Sequence, residues 1–433
     1  MGIVPCLTGP NIINCLARLK KTWPTDNPVT RGNTRFSKTK QTFFMERPMT
    51  AFAKTDYIYL DHNATTPMDP LATKAMMPFI EKEYGNPSSP YDLGLRAKNA
   101  LEEARRSVAL LLGCHNHEVV FTSGGTESNN AVLKGVIDLK RPEDSHFITS
   151  SIEHPAILNP ALFLMELGAE VDFLPVDRFG RVDPEDVRKA IRPRTKLISI
   201  MLANNETGTL QPVKDIAKIA KEHEVALHTD AAQALGKVPV DVDDLGVDFL
   251  SVAGHKLYGP KGVGALFIRK DKNLTPLIHG AGQEDGRRPG TENVMLSVGL
   301  GAACRLAAER IEKHMEHMAK MRDRLETLLF EGLDGLSLNG HPEHRLPNTL
   351  NISVPGIDGG GILEGLPAIF ASTGAACHDR KVKLSHVLAA MGVPPEVGMG
   401  TLRLTTGRSN DISQIETAAS MIITRVKEMK NGK

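Results

Sequence analysis

Lys256 ends the run Ser251-Val-Ala-Gly-His-Lys256, just past an apolar stretch, and a glycine-rich turn, Tyr258-Gly-Pro-Lys-Gly-Val-Gly264, follows it. An amine in that setting suits imine chemistry, which needs a lysine that is neutral at working pH. Burial or a neighbouring cation, here His255, depresses the pKa in that direction. Taken alone, such a lysine is more often a solvated surface side chain.

A second motif changes the balance. Val225-Ala-Leu-His-Thr-Asp230 reads as an apolar strand ending in a carboxylate, with Ala-Ala-Gln233 after it. A carboxylate there, 26 residues before the lysine, can keep a pyridinium nitrogen protonated and make the ring of pyridoxal phosphate (PLP) an electron sink. An aspartate that caps a helix fits the same spacing. The third motif, Phe121-Thr-Ser-Gly-Gly-Thr-Glu127, reads as a strand running through two glycines into a helix. Gly125 and Thr126 then open a helix N-terminus, whose free N–H groups and positive dipole end suit a phosphate; the same turn occurs in proteins that bind nothing. His154 follows another apolar run and can stack on a flat heterocycle or cap a helix, while Asn205, in Asn204-Asn205-Glu-Thr-Gly208, offers an amide. Open α/β sheets bind ligands beyond the carboxyl ends of their strands, and all of these residues are expected there.

Two further candidates lie towards the C-terminus. Cys377, in Ala-Ser-Thr-Gly-Ala-Ala-Cys-His378, is expected in a loop of small residues, where a thiol beside His378 is accessible and activated. Arg403 alternates out of an apolar strand, Thr-Leu-Arg-Leu-Thr, and its guanidinium can hold a carboxylate in a two-pronged grip or make a structural ion pair. Other patterns carry little. No GxxxxGK[ST] loop exists, the glycine runs at 262 and 280 lack the third glycine of a dinucleotide fingerprint, and Cys114-His-Asn-His117 has no second ligand pair, so no metal site is expected. His314 and His317 share a helix face and read as solvated.

Short apolar runs at 119–122, 146–149, 171–174, 197–202, 225–228, 249–252 and 265–268 must carry these groups as strands. Helical patterns at 95–112 and 212–223 lie between some of them, an alternation that predicts a mainly parallel sheet covered by helices. A long helix over 298–332 leads into a smaller unit mixing strands (349–354, 401–405) with a closing helix over 412–429. We therefore expect an α/β chain of three parts: an extension over 1–54, a large domain over 55–310, and a smaller α+β domain over 311–433, with the segment near 55–67 packing beside the last.

Composition narrows the function classes. Fifty-two basic against 51 acidic residues leave a net charge of +1, which gives no electrostatic case for nucleic acid. No run of 18 apolar residues points to a membrane span, and five cysteines without a CxxC pair do not make a disulfide framework. Residues 1–54 hold nine basic side chains and two acidic ones. Such a leader reads as a disordered extension or an organelle transit segment, so the expected compartment is the cytoplasm or the mitochondrion.

Together these motifs resemble the fold-type I PLP enzymes of the cysteine desulfurase and selenocysteine lyase family. The resemblance runs in order from about Tyr57 to Arg408, through Leu60-Asp-His-Asn-Ala-Thr-Thr-Pro67, Gly85-Asn-Pro-Ser-Ser89, Ser123-Gly-Gly-Thr-Glu127, Asp230-Ala-Ala-Gln233, Gly254-His-Lys256 and the Cys377 segment. Four stretches look closer to selenocysteine lyases: 86–91, 282–284 with 288–293, 374–378 and 402–408. The resemblance implies that Lys256 forms the Schiff base and moves the α-proton, that Asp230 pairs with the pyridinium nitrogen and Gln233 with the ring phenolate, and that His154 stacks on the ring, which Asn205 also contacts. It implies a phosphate held by Gly125, Thr126, His255 and, from the neighbouring subunit, Thr291, hence a homodimer with composite sites. Arg403 would bind the substrate carboxylate, and Cys377 would act at sulfur or selenium. One departure stands out: desulfurases commonly place Ser two residues before the His of Gly-His-Lys, where this chain has Ala253. The expected activity is cleavage of the Cβ–Se or Cβ–S bond of selenocysteine or cysteine to give alanine, selenocysteine lyase-like, with cysteine desulfurase as the alternative and an acceptor protein for the released atom. A non-catalytic scaffold that kept the fold is the reading from another class.

Overall fold

The computed structural model describes residues 56–373, 375–378 and 381–432, and of 375–378 and 381–383 the backbone only. The expected extension over 1–54 lies outside the described residues. Strand β1 (Ile58–Tyr59) opens the described chain. It is followed by β2 (Val119–Thr122), β3 (His146–Ser150), β4 (Glu170–Leu174), β5 (Thr195–Ser199), β6 (Ala226–Asp230), β7 (Phe249–Ala253) and β8 (Gly264–Ile268). The last seven form one sheet in the order β2-β8-β7-β6-β5-β3-β4. Every pair is parallel except those made by β8, which runs antiparallel to β2 and β7.

Side chains alternate across this sheet with period two. Ile148, Ile198, Leu227, Leu250 and Phe267 pack with Leu101, Val108 and Leu300 on one face, whereas Phe147, Leu197, Phe249 and Leu266 pack with Val132, Leu133, Ile157 and Leu164 on the other. Both faces are covered, which is why the runs read as continuously apolar rather than alternating. One predicted boundary moves. The strand within the run at 197–202 ends at Ser199, although Ile200 and Leu202 still donate to the carbonyls of His228 and Asp230 on β6.

The helix Val294–Gly332, capped by Asn293 and broken at Arg310, leads on to β9 (Ser337–Leu338) and β10 (Thr349–Ser353). Then come β11 (Ile369–Phe370), β12 (Ser372–Thr373), β13 (Ala375–His378), β14 (Lys381–Leu384) and β15 (Thr401–Thr405). A four-stranded antiparallel sheet, β12-β15-β10-β9, buries Leu350, Ile352, Leu402 and Leu404 against Ile415, Ile422 and Val426 of the helix Ile412–Asn431. Ile58 and Leu60 join that cluster, and β1 pairs in parallel with β11. His317 and His314 are not solvated as expected. His317 sits 2.9 Å from the Asn410 carbonyl, and the half-buried His314 ring packs where the arginines at 310 and 408 lower its pKa, burial being the first cause. Among the described residues no helix is long and apolar enough to cross a membrane.

Glycine matters most where β8 meets the turn after β2. A Cβ on Gly264 would lie 2.3 Å from the Val252 carbonyl oxygen and 2.7 Å from the Gly124 Cα, both backbone atoms that cannot step aside. Gly264→Ala should therefore lower the unfolding free energy by about 1–3 kcal/mol, the usual cost of overpacking, read as a lower urea midpoint.

Candidate active site

Because β7, β6, β5 and β3 run parallel, and β2 is parallel to them across β8, their carboxyl ends share one edge of the sheet. Each chain exit there delivers one of the expected groups. The end of β2 turns through Gly124 into the helix Gly125–Val136, β3 leads to His154, β5 to Asn205, β6 ends on Asp230, and β7 runs through a short turn, Gly254–Lys256. The edge closes around a cavity of about 330 Å³ lined by Gly125, Thr126, His154, Asn205, Asp230, Gln233, His255, Lys256 and Arg403.

Asp230 is buried, and its two oxygens accept from Asn129 Nδ2 at 2.7 Å and from the Ala232 N–H at 2.9 Å. Lys256 Nζ donates to the carbonyls of Asn63 at 2.5 Å and Ala64 at 2.8 Å. Burial, and then the Arg403 cation, push its pKa down to about 8, against the opposing pull of Asp230 and Asp61. His255 Nδ1 lies 3.1 Å from Thr65 Oγ1, and burial together with the Lys256 cation pushes its pKa down to about 4. The His154 ring caps the helix Pro155–Glu166 by accepting from the Ala156 N–H at 3.1 Å, and it is exposed at the cavity mouth. Arg403, in the middle of β15, donates to Asp61 Oδ1 at 2.7 Å, Ser372 Oγ at 2.9 Å and the Asn205 carbonyl at 3.2 Å. It thus makes a structural ion pair and lines the cavity as well.

A model of the aminotransferase class-V family matches residues 58–417. The chain belongs to the aminotransferase class-V family. It is 46% identical over 376 residues to the cysteine desulfurase IscS of Methanosarcina thermophila, covering 86% of this chain and 93% of the relative. It is 47% identical over 352 residues to the IscS of Dictyoglomus turgidum, covering 81% and 89%. A mitosomal cysteine desulfurase of Trachipleistophora hominis is 40% identical over 383 residues, 86% of this chain and 87% of that one. A solved NifS-like protein superposes with a TM-score of 0.80 at 37% identity, over 87% of this chain and all of that one. These relatives back the desulfurase alternative better than the selenocysteine lyase reading, and they make this class-V chain an enzyme of a PLP-dependent group.

One expected residue stands apart from the cavity. Thr291 is exposed and does not line it. Cys377 lies not in a loop but on β13, paired antiparallel with β14 and opposite Val382; small residues without Pro allow a tight hairpin where composition suggested only a loop. Its side chain lies outside the described residues. The hairpin returns beside the cavity, where Ser385 Oγ donates to Glu206 at 2.5 Å and a His386 ring nitrogen lies 2.9 Å from the Glu153 carbonyl.

Sequence reasoning missed Asn63, Asn129 and Lys237. Asn63 is a buried hub. Its carbonyl accepts from Gln233 and Lys256, its Oδ1 from Lys237 and Asn348, and its amide nitrogen donates to Thr349 and the Asn205 carbonyl. Partners hundreds of residues away leave no local pattern. Asn129 was findable: it lies four residues after Gly125, on the same helix face.

The two charges flanking Lys256 can be told apart. The free amine is half neutral near pH 8, so trinitrophenylation of Lys256 in cofactor-free protein should have its midpoint there. Arg403→Met removes a cation and should raise that midpoint toward the ordinary lysine value, whereas an unmoved or lower midpoint would contradict the assigned cause.

Proposed function

We propose that this protein is a PLP-dependent cysteine desulfurase that removes sulfur from L-cysteine, leaves L-alanine, and passes the sulfur on from Cys377. One observation carries the reading: a lysine amine, a buried carboxylate and an imidazole from three different strand ends line one cavity, with a helix N-terminus at its rim. That donor set fits PLP. An amine, a carboxylate for a ring nitrogen and free N–H groups for a phosphate are the three things the cofactor requires, and a volume of about 330 Å³ falls within the range of about 300–1,000 Å³ of small-molecule sites.

Bound there, PLP supplies an electron sink for cleavage at the substrate's β-carbon. Asp230 would pair with the ring nitrogen, Gln233 with the phenolate oxygen, and His154 would stack on the ring, with Asn205 beside it. The N–H groups of Gly125 and Thr126, with His255, would hold the phosphate. Thr291 of the partner subunit completes that grip in a homodimer. Lys256 anchors the cofactor and then, as a free amine, takes the proton from the substrate Cα and returns one to the product. Arg403 orients the substrate carboxylate. The Cys377 thiolate attacks the substrate sulfur as the Cβ–S bond breaks, so the sulfur leaves as a persulfide on Cys377 and the bonding pair stays with the three-carbon fragment that becomes alanine. An acceptor protein with a thiol relieves the persulfide. Ala253, buried with its methyl 3.5 Å from where a Gly125 side chain would begin, provides no hydroxyl to the phosphate.

Turnover of the wild-type protein on L-cysteine and L-selenocysteine under reducing conditions tests the reading. We expect alanine from both and a persulfide, detected by alkylation and mass spectrometry, on Cys377 with cysteine. Cys377→Ala should lose sulfide production by at least about 10²-fold while PLP stays bound. Efficient selenocysteine cleavage with negligible cysteine turnover would instead restore the lyase reading. The basic leader and the mitosomal relative support a mitochondrial address over the cytoplasm. Residues 1–54 fused to a fluorescent reporter should direct it to mitochondria, and a diffuse cytoplasmic signal would reverse that.

A further inference from the structure

Lys237 follows Gln233 by four residues in the turn after β6, is 3% exposed, and does not line the cavity. Its Nζ lies 2.8 Å from Gln233 Oε1 and 3.2 Å from Asn63 Oδ1. We infer that Lys237 is a positioning residue that fixes the polarity of the Gln233 amide, so that Gln233 turns its remaining N–H, and not its oxygen, to the cavity. The inference rests on the PLP reading above, in which Gln233 faces the phenolate oxygen.

The orientation follows from what each partner can do. A lysine amine has hydrogens to give, two when neutral and three when charged, and here it meets two oxygens. The other end of Gln233 donates to the Asn63 carbonyl at 2.9 Å, and a carbonyl only accepts. Asn63 Oδ1 also takes a hydrogen from Asn348 Nδ2 at 3.0 Å, and the Asn63 Nδ2 donates to Thr349 Oγ1 at 2.9 Å. Reversing either amide would therefore oppose like groups at buried contacts. Burial, and then the Lys256 and Arg403 cations, hold Lys237 well below the ordinary lysine pKa. An amide turned the other way would aim its oxygen at the phenolate and repel it.

The test compares full-length PLP-loaded protein with Lys237→Met, which keeps the stem and removes the donor, and with Lys237→Gln, which restores one donor. The readout is the pH midpoint of the cofactor's visible absorbance change, alongside thermal melting. A lost donor to the phenolate should raise that midpoint by roughly half to one pH unit in Lys237→Met, with Lys237→Gln returning most of the way. In a Gln233→Ala background, Lys237→Met should add no further shift, because the residue it acts through is gone. A merely structural role would lower the melting temperature of both Lys237 variants and leave the midpoint where it was, which overturns the inference. Cofactor-free crystals at atomic resolution with Gln233 Oε1 turned away from Lys237 would overturn it too. Wild-type protein that takes up no PLP would sink the functional reading instead, and the crystal result would still decide the amide's orientation.

Discussion

Lys256→Ala should yield a folded protein that has lost the visible absorbance of covalently held PLP and, with it, turnover on cysteine. The physical reason lies in two roles joined in one amine. Among the described residues Lys256 Nζ is the only amine lining the cavity, so its removal ends covalent attachment. Proton transfer by a positioned side chain is worth about 10²–10⁴-fold by itself, and covalent activation multiplies that. The cost to folding should be small, because Lys256 Nζ donates to two carbonyls, of Asn63 and Ala64, that face a cavity open to water. Lys256→Arg sharpens the test. The guanidinium keeps the hydrogen bonds and the charge but cannot become a neutral nucleophile at working pH, so it should be as inactive as the alanine variant while melting closer to wild type. Either variant retaining the absorbance band would remove the central premise.

Asp230→Asn should lower turnover by about 10²–10³-fold, the usual range for losing one preorganised electrostatic partner, with PLP still bound. The substitution keeps the shape and removes the charge. Asn129, whose Oδ1 has no partner among the described residues, can turn its amide and accept from the new side chain, so the site need not collapse. Lys256 supplies an independent readout with a definite sign. Asp230 raises its pKa, so neutralising the carboxylate should bring the labelling midpoint below about pH 8, the direction opposite to Arg403→Met. Equal midpoints in the two variants would show that neither charge acts on the amine as described.

How far the residues alone could reach is clear from particular cases. Asp230, Lys256 and the Gly124-Gly125 turn were recognisable because each sits where an apolar run meets a change of texture, and such a junction is a strand's carboxyl end. His154 was recognisable for the same reason. The hairpin under Cys377 was not, since small residues are as compatible with a loop as with strands. The two histidines at 314 and 317 look solvated on a helical wheel; only packing against the chain near 408–410 half-buries them. The leaning toward selenocysteine lyase rested on four short stretches, whereas the relatives matched over most of the chain are named cysteine desulfurases.

Local physics, then, determined the strands, their common edge and which reactive side chains stand at it, because periodicity and turn chemistry act over a few residues. Tertiary structure alone decided which of those side chains meet. Asn63 joins Gln233, Lys237, Lys256 and Asn348, residues 170 to 285 positions away, and Arg403 faces Asp61 across 342. A hydrogen bond depends on distance in space, and nothing in the order of the residues encodes that distance until the chain has folded around its core.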